Sequence, residues 1–239
     1  MRRRAGLILL AATGLAVVVS LAAPRLDLAV ARWTFGAGHF LLDGSVLFGW
    51  LHRWIGLLVG LCLGFFGLAA VAARLGRPIA GLGPWHAVFV FALFIIGPGL
   101  IANSLLKDHS GRPRPYQVRE FGGPLDYVGP LAFDGTCTHN CSFVSGDASA
   151  AFAYIGPALL LPRRRRALGV AGALLLGAAA GLMRMFQGGH FLCDVIFAGL
   201  VVAATALALH WAIFRDDGRP RWGRPRWPQK RLVKAGRPA

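Results

Sequence analysis

Apolar residues in this chain fall in long unbroken runs. Neither the alternation of a half-buried strand nor the narrow stripe of a soluble amphipathic helix organises them. Five runs, at 5–23, 54–73, 85–106, 167–183 and 191–214, approach the roughly 20 apolar residues that a membrane-spanning helix needs. A shorter sixth, 145–162, carries Ser145 and Asp147 at its start and is read as the fourth span in chain order. The pattern predicts an all-α fold, a six-transmembrane helix bundle over 1–214, followed by a basic tail over 215–239. The first run follows Met-Arg-Arg-Arg like a secretory leader. However, Ala-Ala-Pro at 22–24 is a poor cleavage context, and the run is read as a span.

Two stretches between runs are long. The first, 24–53, holds Trp33, Phe35, Phe40, Leu41, Leu42, Phe48 and Trp50. It reads either as an amphipathic element lying in the membrane interface or as an ordinary aromatic belt. The second, 107–144, is rich in Gly and Pro. Gly56, Gly60 and Gly64, and again Gly177 and Gly181, have the spacing that lets membrane helices approach closely.

Composition agrees with the pattern. Of 239 residues 56% are hydrophobic and 15% charged, with a mean hydropathy of +0.56. Soluble domains carry about a quarter charged residues. The net charge of +16 first points to nucleic acid. Its distribution points elsewhere. Most Lys and Arg fall in the N-terminal triplet, at Arg74 and Arg77, in the four arginines at 163–166, and in the tail. With six spans all four segments share one side, and the excess of positive charge makes that side cytoplasmic, with both termini there. Attraction to anionic lipid accounts for the rest of their effect. No nucleic-acid partner is expected, and the composition leaves the oligomeric state open.

Lys107, Arg112, Arg114, Arg119 and Arg184 fall on the opposite side, where topology does not explain them. Three polar segments meet there. They are Lys107 with Arg114-Pro115, then Phe-Val-Ser-Gly-Asp at 143–147, then the segment from Arg184 to Asp194. Lys107, Arg114 and Arg184 would supply three cations for a phosphoryl group, with arginine able to fork onto two oxygens. Ser145 and Gly146 open a helix, where free backbone N–H groups attract anions. His190 and Asp194, four apart, share one helix face. A carboxylate fixes the tautomer of the imidazole, whose free nitrogen would attack phosphorus and form a phosphohistidine that water then hydrolyses. Asp147 is the candidate acid for the leaving oxygen. Taken singly, each group has a plainer reading as a snorkelling anchor, a helix cap or a structural hydrogen bond. Cys137 and Cys141, in Cys-Thr-His-Asn-Cys, form a disulfide, stay as thiols, or bind metal with His139. Three close ligands without a fourth make a poor zinc site.

In this order the segments resemble the signature of the type 2 phosphatidic acid phosphatase superfamily of integral-membrane lipid phosphatases: K-x6-R-P, P-S-G-H and S-R-x5-H-x3-D. The chain reads KDHSGRPRP, VSGD and MRMFQGGHFLCD. The resemblance implies a phosphatase site, which the charge bias puts at the non-cytoplasmic membrane face, and the Arg- and Ala-rich composition points to a bacterial inner membrane. Lys107, Arg114, Ser145, Gly146 and Arg184 would bind phosphate, His190 would be the nucleophile and Asp194 its partner. No metal and no cofactor are implied. The partner would be a membrane lipid bearing a phosphate or pyrophosphate headgroup. Two departures stand out: Met183 replaces the Ser of the third motif, and Asp147 replaces the His that protonates the leaving group. Either Asp147 is the acid, or the leaving group needs little help, or His109 or His139 stands in, or the site is impaired. A Ser-Gly-acid version of the motif is similar to the branch acting on lipid A phosphates. The same residues would also serve a lipid-phosphate phosphotransferase or a non-catalytic phospholipid binder or transporter. An intramembrane serine protease built on Ser145 and His190 would have no use for the three cations.

Overall fold

The computed structural model describes residues 2–215 and 218–222, so most of the predicted tail, including Trp227, lies outside the described residues. Five helices are long and apolar enough to cross a membrane among the described residues. They make this a multi-pass membrane protein. Four of them are single α-helices: α1 (Arg2–Ala22), α3 (Val46–Arg74), α7 (Arg163–Phe186) and α8 (Leu192–Ile213). The fifth is α4 (Pro84–Phe94), which runs on in π-helical form over Ile95–Lys107. Pro84 opens α4, where its missing N–H is not needed. Pro98 falls inside the widened part, and Asn103 Nδ2 donates to its carbonyl at 2.8 Å.

The predicted fourth span, 145–162, is not one helix. It folds as α5 (Gly146–Phe152) and α6 (Ile155–Leu159), broken at Ala153 and Tyr154. Pro157 explains part of this, since a ring at that position has no N–H to return to residue 153. The pair is buried among the other helices and packs chiefly on α7, with α5 also against α8. It leads from the end of the bundle that holds Lys107 to the end that holds the arginines at 163–166.

Helix α8 is central and touches α1, α2, α4, α5, α6 and α7. The core runs through Phe89, Val90, Leu93, Phe152, Ala198 and Val202. Outward-facing Leu7, Leu10, Leu61, Leu68 and Leu175 are exposed, as lipid-facing residues of a membrane bundle are. Of the two glycine series, one is used for close packing. A Cβ on Gly177 would lie 2.1 Å from the Phe152 ring, and one on Gly181 would lie 2.2 Å from Val195. Gly56, Gly60 and Gly64 face open space.

The stretch 24–53 is folded back onto the bundle. It forms α2 (Leu26–Arg32) and a two-stranded hairpin, β1 (Phe35–Gly36) with β2 (His39–Phe40). Ala37 and Gly38 both take positive φ, 53° and 84°, as a tight two-residue turn requires. Phe40 is buried with Leu28, Ala31, Phe121 and Phe191, while Trp33 is exposed. The hairpin clamps the turn between α7 and α8. Leu42 N–H donates to Phe186 O at 3.1 Å, and Phe40 packs where a Cβ of Gly188 would be.

Candidate active site

The site lies at one end of the bundle. The last turn of the π-helix delivers Lys107, the loop after it Arg114, α5 Gly146 and Asp147, the end of α7 Arg184, and the α7–α8 turn His190. These six side chains and backbones line one pocket of about 700 Å³, together with His52, Arg53, Asn103 and Asn140. Six of the eight residues expected to act are thus brought together. Ser145 and Asp194 stand behind the wall.

The phosphate-binding expectation for Ser145 meets a different use. Its hydroxyl caps α5 by accepting from Ala148 N–H at 3.4 Å, its own N–H donates to Asp194 O at 3.2 Å, and it is fully buried. Gly146 is where the backbone must be bare. A Cβ there would fall 2.6 Å from Asn103 Oδ1 and 3.2 Å from Lys107 Nζ. Arg114 is held by the Asn140 carbonyl through Nε and Nη2, at 3.0 and 2.9 Å, and by Asn140 Oδ1 at 2.7 Å. Arg184 Nη1 donates to Gln187 Oε1 at 2.7 Å, and its Nε lies 3.2 Å from Asp147 Oδ2.

His190 is almost fully buried. Its Nδ1 sits 2.7 Å from the Ser142 carbonyl and 3.7 Å from Asp194 Oδ2. The shorter contact fixes the tautomer, with Nδ1–H donating to Ser142 O and Nε2 left for the pocket. Asp194 is a charge beside the ring rather than its hydrogen-bond partner, because its oxygens are taken. Oδ2 accepts from Ser142 Oγ at 2.5 Å and from Phe191 N–H at 2.7 Å, which caps α8, and Oδ1 pairs with Arg112. Burial pushes the His190 imidazole below its ordinary range, against the pull of Asp194. Burial thus favours the neutral form of the ring over the charged one.

Arg112 is the principal residue that the sequence reading left without a role. It is 1% exposed and bridges Asp194 and Asp27, with Nη2 2.6 Å from Asp27 Oδ2. Its Nε donates to Val128 O at 3.0 Å, and its guanidinium lies 4.5 Å over the Phe191 ring. Tyr127 closes the group, accepting from Arg112 Nη2 at 3.2 Å and donating to Pro24 O at 2.5 Å. Burial raises the Tyr127 hydroxyl, which stays protonated as a donor. The signal for this cluster was a lone acid, Asp27, among Leu, Ala and Val, and a second arginine in Arg-Pro-Arg-Pro.

His109 and His139, the candidate stand-ins for the motif histidine, do not line the pocket. His109 Nδ1 bonds Leu105 O at 2.9 Å, and His139 is exposed, 3.9 Å from Asp108. The Cys137 and Cys141 sulfurs lie 2.20 Å apart, as a disulfide. No group of three or more His, Cys, Asp or Glu is placed to hold a metal ion among the described residues.

Residues 85–219, which hold every one of the pocket's charged groups except His52 and Arg53, match the PAP2 superfamily model. The chain belongs to the PAP2 superfamily. Among its PAP2 relatives is a lipid A 4'-phosphatase of Francisella tularensis subsp. novicida (strain U112), 40% identical over 131 residues, covering 54% of this chain and 59% of that protein. Proteins of the same name from Rhizobium leguminosarum and Rhizobium etli are 40% and 41% identical over 118 residues, covering 48% of this chain and 51% and 46% of theirs. The chain spans about half the length of the curated relatives it matches. No solved structure matches it.

Proposed function

We propose that this protein is a lipid phosphatase that hydrolyses a phosphate from lipid A or a chemically similar lipid at the non-cytoplasmic face of a bacterial inner membrane. The observation that carries the reading is the convergence of Lys107, Arg114 and Arg184 on the pocket into which the neutral His190 presents Nε2. Three cations match a phosphate dianion and gain strength as it becomes pentacoordinate. His190 attacks phosphorus, the P–O bond to the lipid breaks, and a phosphohistidine forms. Water then cleaves the N–P bond and phosphate leaves. Asp194, fixed by Arg112 and Ser142, supports the positive charge on the phosphorylated ring. Gly146 lets the phosphate approach the backbone. The side-chain cations supply the charge that other phosphatases draw from metal ions, so the reaction is metal-independent.

The sidedness follows from α7. Its first turn holds the arginines at 163–166 and its last turn Arg184, about 30 Å away along the axis at 1.5 Å per residue. The positive-inside bias puts the former at the cytoplasm and the pocket on the other side. Counting the α5–α6 pair as a pass gives six crossings and both termini in the cytoplasm. The relatives' name favours lipid A as substrate.

Phosphate release from lipid A, phosphatidate, phosphatidylglycerophosphate and undecaprenyl pyrophosphate in detergent, with EDTA present, tests the reading. Release is expected, fastest from lipid A, and His190→Ala is expected to lower it by at least about a thousandfold, as for removal of other nucleophiles. Release that requires added metal, or that survives His190→Ala, would refute it. Phosphate appearing on an added acceptor instead of in water would make the protein a phosphotransferase.

A further inference from the structure

The motif histidine is missing at position 147, and the fold brings another imidazole to that place. His52, near the start of α3, lies with Nδ1 2.9 Å from Asp147 Oδ1. The other oxygen of Asp147 faces Arg184 Nε at 3.2 Å. Asp147 thus has His52 beside one oxygen and the Arg184 guanidinium beside the other, the latter an ion-pair contact without a hydrogen bond from Nε. His52 has spent one nitrogen and keeps Nε2. Its side chain is 58% exposed and lines the same pocket as His190. A leaving alkoxide needs a proton donor of this kind, an imidazole oriented by a carboxylate.

We propose that His52 is the general acid of the reaction and that Asp147 is the residue that positions it. This rests on the phosphatase reading above. As His190 Nε2 bonds to phosphorus, the P–O bond breaks and its electron pair goes to the lipid oxygen. That oxygen takes the proton from His52 Nε2. His52, now neutral, accepts a proton from the water that attacks the phosphohistidine. The N–P electron pair returns to His190, and phosphate departs with both imidazoles restored. The charged groups around His52 are Asp147 from α5, Arg184 from α7, Lys107 from the π-helix, Arg114 from the outer loop, and Arg53 on its own helix.

Leaving-group dependence separates acid catalysis from mere structural support. A p-nitrophenolate leaves without a proton, whereas a sugar or glycerol alkoxide does not. His52→Ala and His52→Gln are expected to lose about 100-fold in the single-turnover rate of His190 phosphorylation by lipid A and under about fivefold in that by p-nitrophenyl phosphate, the step in which the two leaving groups differ. Added imidazole is expected to restore part of the lipid A activity of His52→Ala. Asp147→Asn, which retains an accepting oxygen, is expected to lose less than Asp147→Ala. Equal losses on both substrates, or no loss on lipid A, would overturn the assignment while leaving the phosphatase intact. Full activity in the His52 variants with complete loss in both Asp147 variants would return the acid role to Asp147. Wild type that releases no phosphate from either substrate would overturn the phosphatase reading and the acid assignment together.

Discussion

At the scale of single residues, two buried groups set what the site can do. Burial lowers the His190 imidazole below its ordinary value. A nucleophilic imidazole must be unprotonated, so a lowered value keeps it active to more acidic pH. The acid limb of kcat/KM is expected below the ordinary histidine value of about 6.5. The same shift acts on stability. The unfolded chain binds the proton more readily, so stability falls as pH drops from the ordinary value toward the folded one. A limb above 6.5 in steady-state kinetics would mean that the Asp194 charge outweighs burial. Arg112 is the second group. Arg112→Gln leaves Asp27 and Asp194 without their cation in a dry setting, which is expected to destabilise the protein by about 3–5 kcal/mol. Asp27→Asn strands less charge and is expected to cost less. Thermal unfolding in detergent compares them. Residue spacing alone named Lys107, Arg114, Gly146, Asp147, Arg184 and His190, because each motif is local in sequence. It missed His52, Asp27, Ser142 and the role of Arg112, because these meet only after folding.

At the scale of elements, glycine spacing was an incomplete guide. Gly177 and Gly181 permit contact because α5 and α8 carry Phe152 and Val195 to them. The series at 56, 60 and 64 has the same spacing, but a Cβ at any of the three would meet nothing within 4 Å. Gly177→Ala is therefore expected to lower stability by about 1–3 kcal/mol through overpacking. Gly60→Ala is expected to leave it level or raise it by up to about 1 kcal/mol, since alanine favours helix. Equal effects at the two sites, read from unfolding midpoints, would remove the packing argument. The five long helices were legible as runs of the right length. The break at Ala153–Tyr154 and the π-helical turn after Phe94 were not, because hydropathy registers length and polarity rather than hydrogen-bond register. Nor did aromatic content tell that part of 24–53 would fold inward: Phe40 faces Phe121 and the α7–α8 turn, while Trp33 and Trp50 keep the exposure expected of interface residues.

At the scale of the molecule, charge asymmetry and site position make one claim about orientation. The Cys137–Cys141 pair reports on it. In intact cells an impermeant maleimide is expected to label these cysteines only after reduction, and from the side opposite the arginines at 163–166. Cys62 and Cys193, inside spans, are expected to stay unlabelled. Labelling only in opened cells would invert the proposed topology.

The Asp27–Arg112–Asp194 bridge ties together the beginning, middle and end of the bundle. A ribosome makes this chain from one end, and the last member of the bridge arrives with the final long helix. Until then Arg112 has one of its two carboxylate partners, and the turn bearing His190 lacks its tie to Asp194. A nascent chain inserted as far as α7 thus holds Lys107, Arg114 and Arg184 but neither His190 nor Asp194.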